Sequence, residues 1–365
     1  MREDLVYLDR LATLVGRLGL DTDTTPTMAV AYAPSAAARM RDGVRRLASW
    51  TRAAKLDQAL AWVLDQPTHG IGIPLSCRSV AQLQDPAQTA QQLRESTPLA
   101  LDEVMSAHLL DAPSGGVVVV KLSHLVADAS DADRVFAEVC ALLDGTAAEP
   151  TVYALDRRRS VDLYARPSAA AAVVEELGEL PVARRCGARG RGEVRTLDVR
   201  VPERHSFSSL LSVACRALAP VVGDDQIWSY PLTPPEDRDH PGYFAQVKQV
   251  KVSAGATEPL IATRRARARI EALGRFSEGD APALAGRLSR ARTPRLVLSA
   301  TSFYRTNTTV LRPLRTVSHR SLDDVRLLWD RSHSPDGALR LQYKTRFLDA
   351  PEAQDLARRL ESFAS

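Results

Sequence analysis

The stretch VVVVKLSHLVADASDADRVFAEVCALLDG, residues 117–145, carries the strongest fold signal in this chain. Four consecutive valines after two glycines are typical of a buried strand, which we predict over 117–126. Ser130 is a candidate N-cap, and apolar residues at helical spacing follow it until Gly145. A buried strand that leads directly into a capped helix predicts a mixed α/β fold.

Between strand and helix the chain carries an H-x-x-x-D pattern formed by His124 and Asp128. A histidine that leaves a rigid strand at a turn is well placed to act as a general base. Neutral imidazole, with a pKa near ~6.5, can take the proton of an alcohol, amine or thiol that attacks a thioester carbonyl. Asp128 would hold the loop instead of transferring protons. The pattern is short enough to arise by chance, so a purely structural histidine is the alternative.

Both halves of the chain alternate strand and helix patterns, which predicts two mixed α/β lobes. We expect an N-terminal lobe over 1–165, a crossover linker over 166–192 and a C-terminal lobe over 193–365. The predicted helices cover 4–18, 36–48, 86–95, 130–145, 206–223, 257–276 and 350–365, and the predicted strands cover 104–110, 117–126, 193–202, 226–232, 243–253, 294–304 and 338–348.

Composition narrows the class of protein. The 365 residues exceed one core of common size, and 45% hydrophobic with 25% charged residues is typical of a soluble globular protein. Four cysteines without a C-x-x-C spacing argue against a zinc site or a disulfide scaffold, so we expect no metal. The N-terminus lacks an apolar signal-peptide core, and no apolar run approaches a membrane span. We therefore expect a cytoplasmic protein.

The net charge of +4 favours a phosphate-bearing or acidic partner only modestly, and an arginine-decorated solvated surface is the better explanation. The basic run RRARAR (264–269) has no interleaved aromatic residues, so it indicates a solvated helix face and no nucleic-acid partner.

Together with its flanks, the segment around His124 resembles the HHxxxDG signature of condensation domains, wax-ester synthases and related acyltransferases of the chloramphenicol acetyltransferase superfamily. Four further segments resemble the same proteins in order, so that the resemblance covers nearly the whole chain. They are TPLALDEVMSAHLL (97–110), SFSSLLSVACRALAPVVGDDQIWSYPLTPPEDR (206–238), HPGYFAQVKQVKVS (240–253) and LRLQYKTRFLDAPEAQDLARRLESFA (339–364).

This resemblance implies two similar lobes in a V, with an active-site tunnel between them. His124 would be the catalytic base and Asp128 its structural partner, while Gln246 and Tyr304 are candidate tunnel residues from the C-terminal lobe. It implies no bound cofactor. The co-substrate would be an acyl thioester, on coenzyme A or on the phosphopantetheine of an acyl or peptidyl carrier protein, and the acceptor a small alcohol or amine.

The chain departs from the family pattern at several positions. Ser123 stands where the first histidine is usual, Ala129 where glycine follows the aspartate, and Gln246 where asparagine is usual. These departures leave three hypotheses. The first is an acyltransferase or condensation enzyme of natural product or antibiotic biosynthesis. The second is an enzyme of the same fold that catalyses another reaction, such as cyclisation of a biosynthetic intermediate. The third is a non-catalytic docking platform for a carrier protein.

Overall fold

The computed structural model divides the chain into two compact units, which are described separately below. It describes residues 26–47, 50, 75–83, 85–100, 102–123, 126–127, 129–145, 170–185, 192–202, 205–232, 246–273, 293–301, 310–314, 316, 320–321, 323–330 and 338–365. No helix in this part of the chain is long and apolar enough to cross a bilayer.

The first unit is built on a five-stranded mixed sheet with strand order β2-β3-β4-β1-β9. Its elements are β1 (Thr27–Tyr32), α1 (Ala37–Leu47), β2 (Leu75–Ser79), α2 (Pro86–Ser96), β3 (Met105–Ala112), β4 (Gly115–Leu122), α3 (Ala129–Asp144) and β9 (Leu311–Pro313). Only β2 and β3 pair in parallel; the other neighbours in this sheet are antiparallel. Strand β9 comes from the second half of the chain and pairs with β1, so the unit is not continuous in sequence.

Strand β4 lies in the middle of this sheet and is buried along its whole length. Successive residues of a strand point to opposite faces, and here each face has its own apolar partners. Val118, Val120 and Leu122 belong to a core cluster with residues of α1 and α3. Val117 and Val119 pack with Ala90 of α2. Burial on both faces explains why the sequence of this strand is a continuous apolar run.

The second unit is built on a seven-stranded mixed sheet with strand order β10-β5-β12-β11-β8-β6-β7. Its elements are α4 (Ala170–Leu177), β5 (Gly192–Arg200), α5 (Phe207–Val222), β6 (Asp225–Leu232), β7 (Gln246–Ser253), α6 (Pro259–Ala272), β8 (Leu296–Thr301), β10 (Arg320–Ser321), β11 (Val325–Asp330), β12 (Ala338–Lys344) and α7 (Ala350–Ala364). Strand β8 pairs in parallel with β11 and β6. Alternate residues of the central strands form one large hydrophobic core with α4, α5, α6 and α7.

The predicted mixed α/β class is confirmed, and most of the predicted elements are present where the structure describes them. The caps explain several helix ends. Asp85 accepts from Ala87 N at the start of α2, Ser206 accepts from Ser209 N at the start of α5, and Gly145 follows α3 with a φ of +75°. The helix predicted over 4–18 lies outside the described residues.

The structure corrects other expectations. Strand β4 ends at Leu122 instead of residue 126, and α3 begins at Ala129, so Ser130 lies inside its first turn. Strands β1, β2, β9, β10 and β11 were not predicted. Helix α4 falls inside the predicted crossover linker 166–192, yet it buries Val173 and Leu177 in the core of the second unit. The V arrangement with its tunnel stays a prediction.

Candidate active site

The predicted motif begins where β4 leaves the sheet. Ser123, the first residue after the strand, is 6% exposed, and its backbone N–H donates to Val104 O at 2.8 Å. Val126 N lies 3.4 Å from Ser123 O, which makes a turn. Val126 and Ala127 are buried in the core cluster that contains α1 and α3. The described residues on both sides of His124 are therefore held by the core of the first unit, which suits a positioned base.

The predicted site residues fall into three groups. His124, Asp128 and Tyr304 lie outside the described residues. Ser123 occupies the buried position given above, and Ala129 is the first residue of α3. Gln246 opens β7 in the second unit, where it is paired with Leu232 of β6. The placement of Gln246 and Tyr304 in a tunnel with His124 stays a prediction.

A line of buried and half-buried polar side chains, which sequence reasoning missed, crosses the sheet just before the motif. We name it the histidine–lysine ladder; it consists of Ser76 on β2, His108 and Ser106 on β3, and Lys121 on β4. Ser76 pairs with His108 and Ser106 with Lys121 in the strand register. The Ser76 hydroxyl lies 2.8 Å from His108 Nδ1, and the Ser106 hydroxyl lies 3.2 Å from Nε2. The one sequence signal was a lysine that interrupts the apolar run VVVVKL.

Lys121 joins β4 to the end of α2. Its side chain is fully buried, and Nζ donates to Arg94 O at 2.5 Å and to Thr97 O. Thr97 is the C-cap of α2, so the ammonium lies at the negative end of the helix dipole and satisfies carbonyls that the helix leaves open. This contact fixes α2 against β4, the strand that leads into the motif, three residues before His124.

The protonation of His108 should make the stability of the protein depend on pH. Burial first, then the positive charges of Lys121 and Arg78, lowers the pKa of His108 from 6.5 to about 4. This folded-state pKa lies below the unfolded value. At pH values between the two, the unfolded chain therefore binds a proton that the folded chain does not, and stability is lost as pH falls through that window. We expect this histidine to account for a loss of ~3 kcal/mol in the free energy of unfolding between about pH 7 and pH 4.

Urea unfolding of the wild type and of His108→Gln at both pH values measures this contribution. The variant has no titrating group at this position. Between the two pH values its free energy of unfolding should therefore fall by ~3 kcal/mol less than that of the wild type. Equal losses in the two proteins would show that His108 is not the linked group.

No protein-family model matches the sequence, and no curated protein matches it significantly. The structure, in contrast, is similar to many solved structures. The first condensation domain of the CDA synthetase superposes with a TM-score of 0.68 and 14% identity over 98% of this chain and 95% of that chain. The X-domain from teicoplanin biosynthesis gives 0.67 and 18% over 93% and 89%. The condensation domain of the Monacolin K polyketide synthase MokA gives 0.65 and 13% over 93% and 90%.

The similarity covers nearly the full length of both chains and so extends to both units. At these sequence identities the similarity shows that the fold is shared. It does not show the reaction, which depends on the site residues. This chain therefore has the fold of condensation domains, as the sequence resemblance predicted.

Proposed function

We propose that this chain is a condensation-type acyltransferase of natural product biosynthesis. It would move an acyl group from a coenzyme A or carrier-protein thioester to an alcohol or amine. The observation that carries the proposal is the position of the H-x-x-x-D motif, directly after the buried strand β4 in a chain with the condensation-domain fold. Leu122 just before the motif, and Val126 and Ala127 within it, pack into the core of the first unit, which supports a histidine with a fixed position.

The reaction needs one general base and an acceptor that is bound next to the thioester carbonyl. Neutral His124 would accept the proton of the acceptor O–H or N–H as the oxygen or nitrogen forms a bond to the thioester carbonyl carbon. The tetrahedral intermediate then collapses, the C–S bond breaks, and the imidazolium returns its proton to the leaving thiolate. The products are an ester or amide and a free thiol, and His124 ends the cycle neutral. Asp128 would hold the loop that carries the histidine.

A second candidate rests on the substituted motif. Ala129, at the start of α3, replaces a glycine of the family pattern, and Gln246 replaces an asparagine. In the family pattern this glycine lets the backbone approach the reacting centre, so an alanine there would leave less room. This would suit cyclisation of a bound intermediate, in which the acceptor belongs to the acyl chain itself, or a platform that binds a carrier protein without turnover.

A product assay separates these candidates. The full chain is incubated with acyl-coenzyme A and acyl-carrier donors of several lengths and with mixed amines and alcohols, and products are identified by mass. We expect an acylated acceptor and an equal amount of free thiol. A product formed without any external acceptor would favour cyclisation. Tight binding of a carrier protein, with every donor left intact, would favour the docking platform.

A further inference from the structure

A hollow opens on one face of the five-stranded sheet, at the end of β4 that lies away from the motif. Its volume is about 450 Å³, within the roughly 300–1,000 Å³ that small-molecule sites occupy. The end of β1, the turn between β3 and β4, the start of α2 and strand β9 line it. From Gly115 in this hollow, β4 runs about 23 Å at ~3.3 Å per residue before it ends at Leu122. The hollow and the motif are therefore separate places on the first unit.

The hollow exists because small residues end a face that is otherwise packed. Strand register places Ala31 of β1 beside Val117 of β4 and Arg312 of β9. Val117 belongs to the apolar cluster under α2. Since alternate residues of extended chain share a face, the next positions on this face are Ala33, whose backbone is still extended, and Gly115. One has only a methyl group and the other has no side chain, which leaves the space open.

The polar side chains that line the hollow can all donate hydrogen bonds. They belong to Tyr32, Ser114 and Arg312, and no carboxylate is among the lining residues. The Tyr32 hydroxyl already donates to Asp111 Oδ1 at 3.1 Å. The Arg312 guanidinium and the Ser114 hydroxyl have no hydrogen-bond or ion-pair partner within the part of the chain that the structure describes. A hollow that offers one cation and one hydroxyl selects a ligand that accepts hydrogen bonds and carries negative charge.

The acidic residues that follow or precede the lining residues in sequence are bound elsewhere. Asp85 is the N-cap of α2, and its Oδ1 accepts from Ala87 N at 2.9 Å. Asp111 accepts from Tyr32 and forms an ion pair with Arg41. The charge of Arg312 is thus not balanced by either of these two carboxylates.

We propose that this hollow binds a monocarboxylate that has an apolar body. The apolar part of the ligand lies against Leu83, Pro86 and Val310, the large apolar residues of the lining. Arg312 binds the carboxylate, since a guanidinium matches it with two parallel N–H···O bonds, and Ser114 donates a further bond. One cation balances one negative charge, whereas a phosphate dianion would keep an unbalanced charge. This is a second ligand site, and it does not depend on the reaction proposed at the motif.

Calorimetric titration of the full chain with 4-phenylbutyrate and with the neutral 4-phenylbutanamide tests the site without turnover. The two probes share an apolar body and differ in charge. We expect the carboxylate to bind to the wild type about fivefold more tightly than the amide, the effect of one solvent-exposed charge pair. Arg312→Gln should abolish this difference because it weakens binding of the carboxylate alone. Arg264→Gln, which changes an exposed arginine of α6 in the second unit, should preserve it.

A second pair of variants tests the space for the apolar body. Ala33→Leu fills the hollow, so it should weaken binding of both probes by more than about tenfold. Ala38→Leu adds the same side chain at an exposed position of α1 outside the hollow, and it should bind both probes as the wild type does. Thermal unfolding shows whether each variant is folded. If Ala33→Leu does not fold, the comparison of Arg312→Gln with Arg264→Gln still decides.

Three results would overturn the proposal. The first is a wild type that binds neither probe, and the second is equal binding of the two probes. The third is carboxylate binding that Arg312→Gln leaves unchanged, which would place the ligand elsewhere in the protein. Tighter binding of phenyl phosphate than of 4-phenylbutyrate would overturn the choice of a carboxylate. Because the titrations need no reaction, these outcomes are separate from the presence or absence of acyl transfer.

Discussion

His124→Ala should lower kcat/KM for acyl transfer by about 10²- to 10⁴-fold, the range that a positioned general base contributes. This corresponds to roughly 3 to 5 kcal/mol of transition-state stabilisation. The acceptor must lose its proton while it attacks, and without the imidazole it has only water to receive it. We expect the loss in kcat and little change in the apparent affinity for the donor. Steady-state release of free thiol with the best donor and acceptor measures both.

A second histidine provides the control for this variant. His205 lies in the second unit, with Nδ1 2.9 Å from Ser209 Oγ and Nε2 2.7 Å from Ala364 O. It joins the start of α5 to the end of α7, so His205→Ala should change stability slightly and turnover by less than about threefold. Thermal unfolding of both variants confirms that each is folded. Turnover of His124→Ala at the wild-type rate would remove this histidine from the mechanism.

Lys121→Met should lower the free energy of unfolding by about 3 kcal/mol, the largest stability effect that we expect from one substitution. Methionine has nearly the same length but cannot donate. The substitution therefore removes the hydrogen bonds that the buried ammonium donates to Arg94 O and Thr97 O at the end of α2. The measurement is equilibrium unfolding in urea near neutral pH.

A half-buried lysine that makes the same kind of contact at an exposed position is the matched control. Lys251 Nζ donates to Glu179 O at 2.9 Å at the surface of the second unit. Water replaces such a bond at little cost, so Lys251→Met should change stability by less than about 1 kcal/mol. Equal effects of the two substitutions would mean that Lys121 does not fix α2 to the motif strand.

Local signals explain which elements were predictable. Four valines after two glycines identify β4 because only a strand buried on both faces suits such a run. Asp85 and Ser206 mark helix starts because an N-cap bonds within its own first turn. The H-x-x-x-D pattern was readable for the same reason, since its residues are neighbours in sequence.

Strands without a local signal were missed. β9 has three residues, and it is a strand because it pairs with β1, more than 270 residues earlier in the chain. β11 lies between β8 and β12, and its own sequence, VRLLWD, gives no clean alternation. Such strands depend on partners that only the folded chain supplies.

The sequence by itself determined the mixed α/β class, the resemblance to condensation domains and the choice of His124 and Asp128 as candidates. Each of these rests on residues close together in the chain. Only the tertiary structure placed Lys121 against the end of α2 and aligned Ala31, Val117 and Arg312 on one face. Strand register sets that alignment, and register depends on long-range pairing and on which face is buried, neither of which a local pattern encodes.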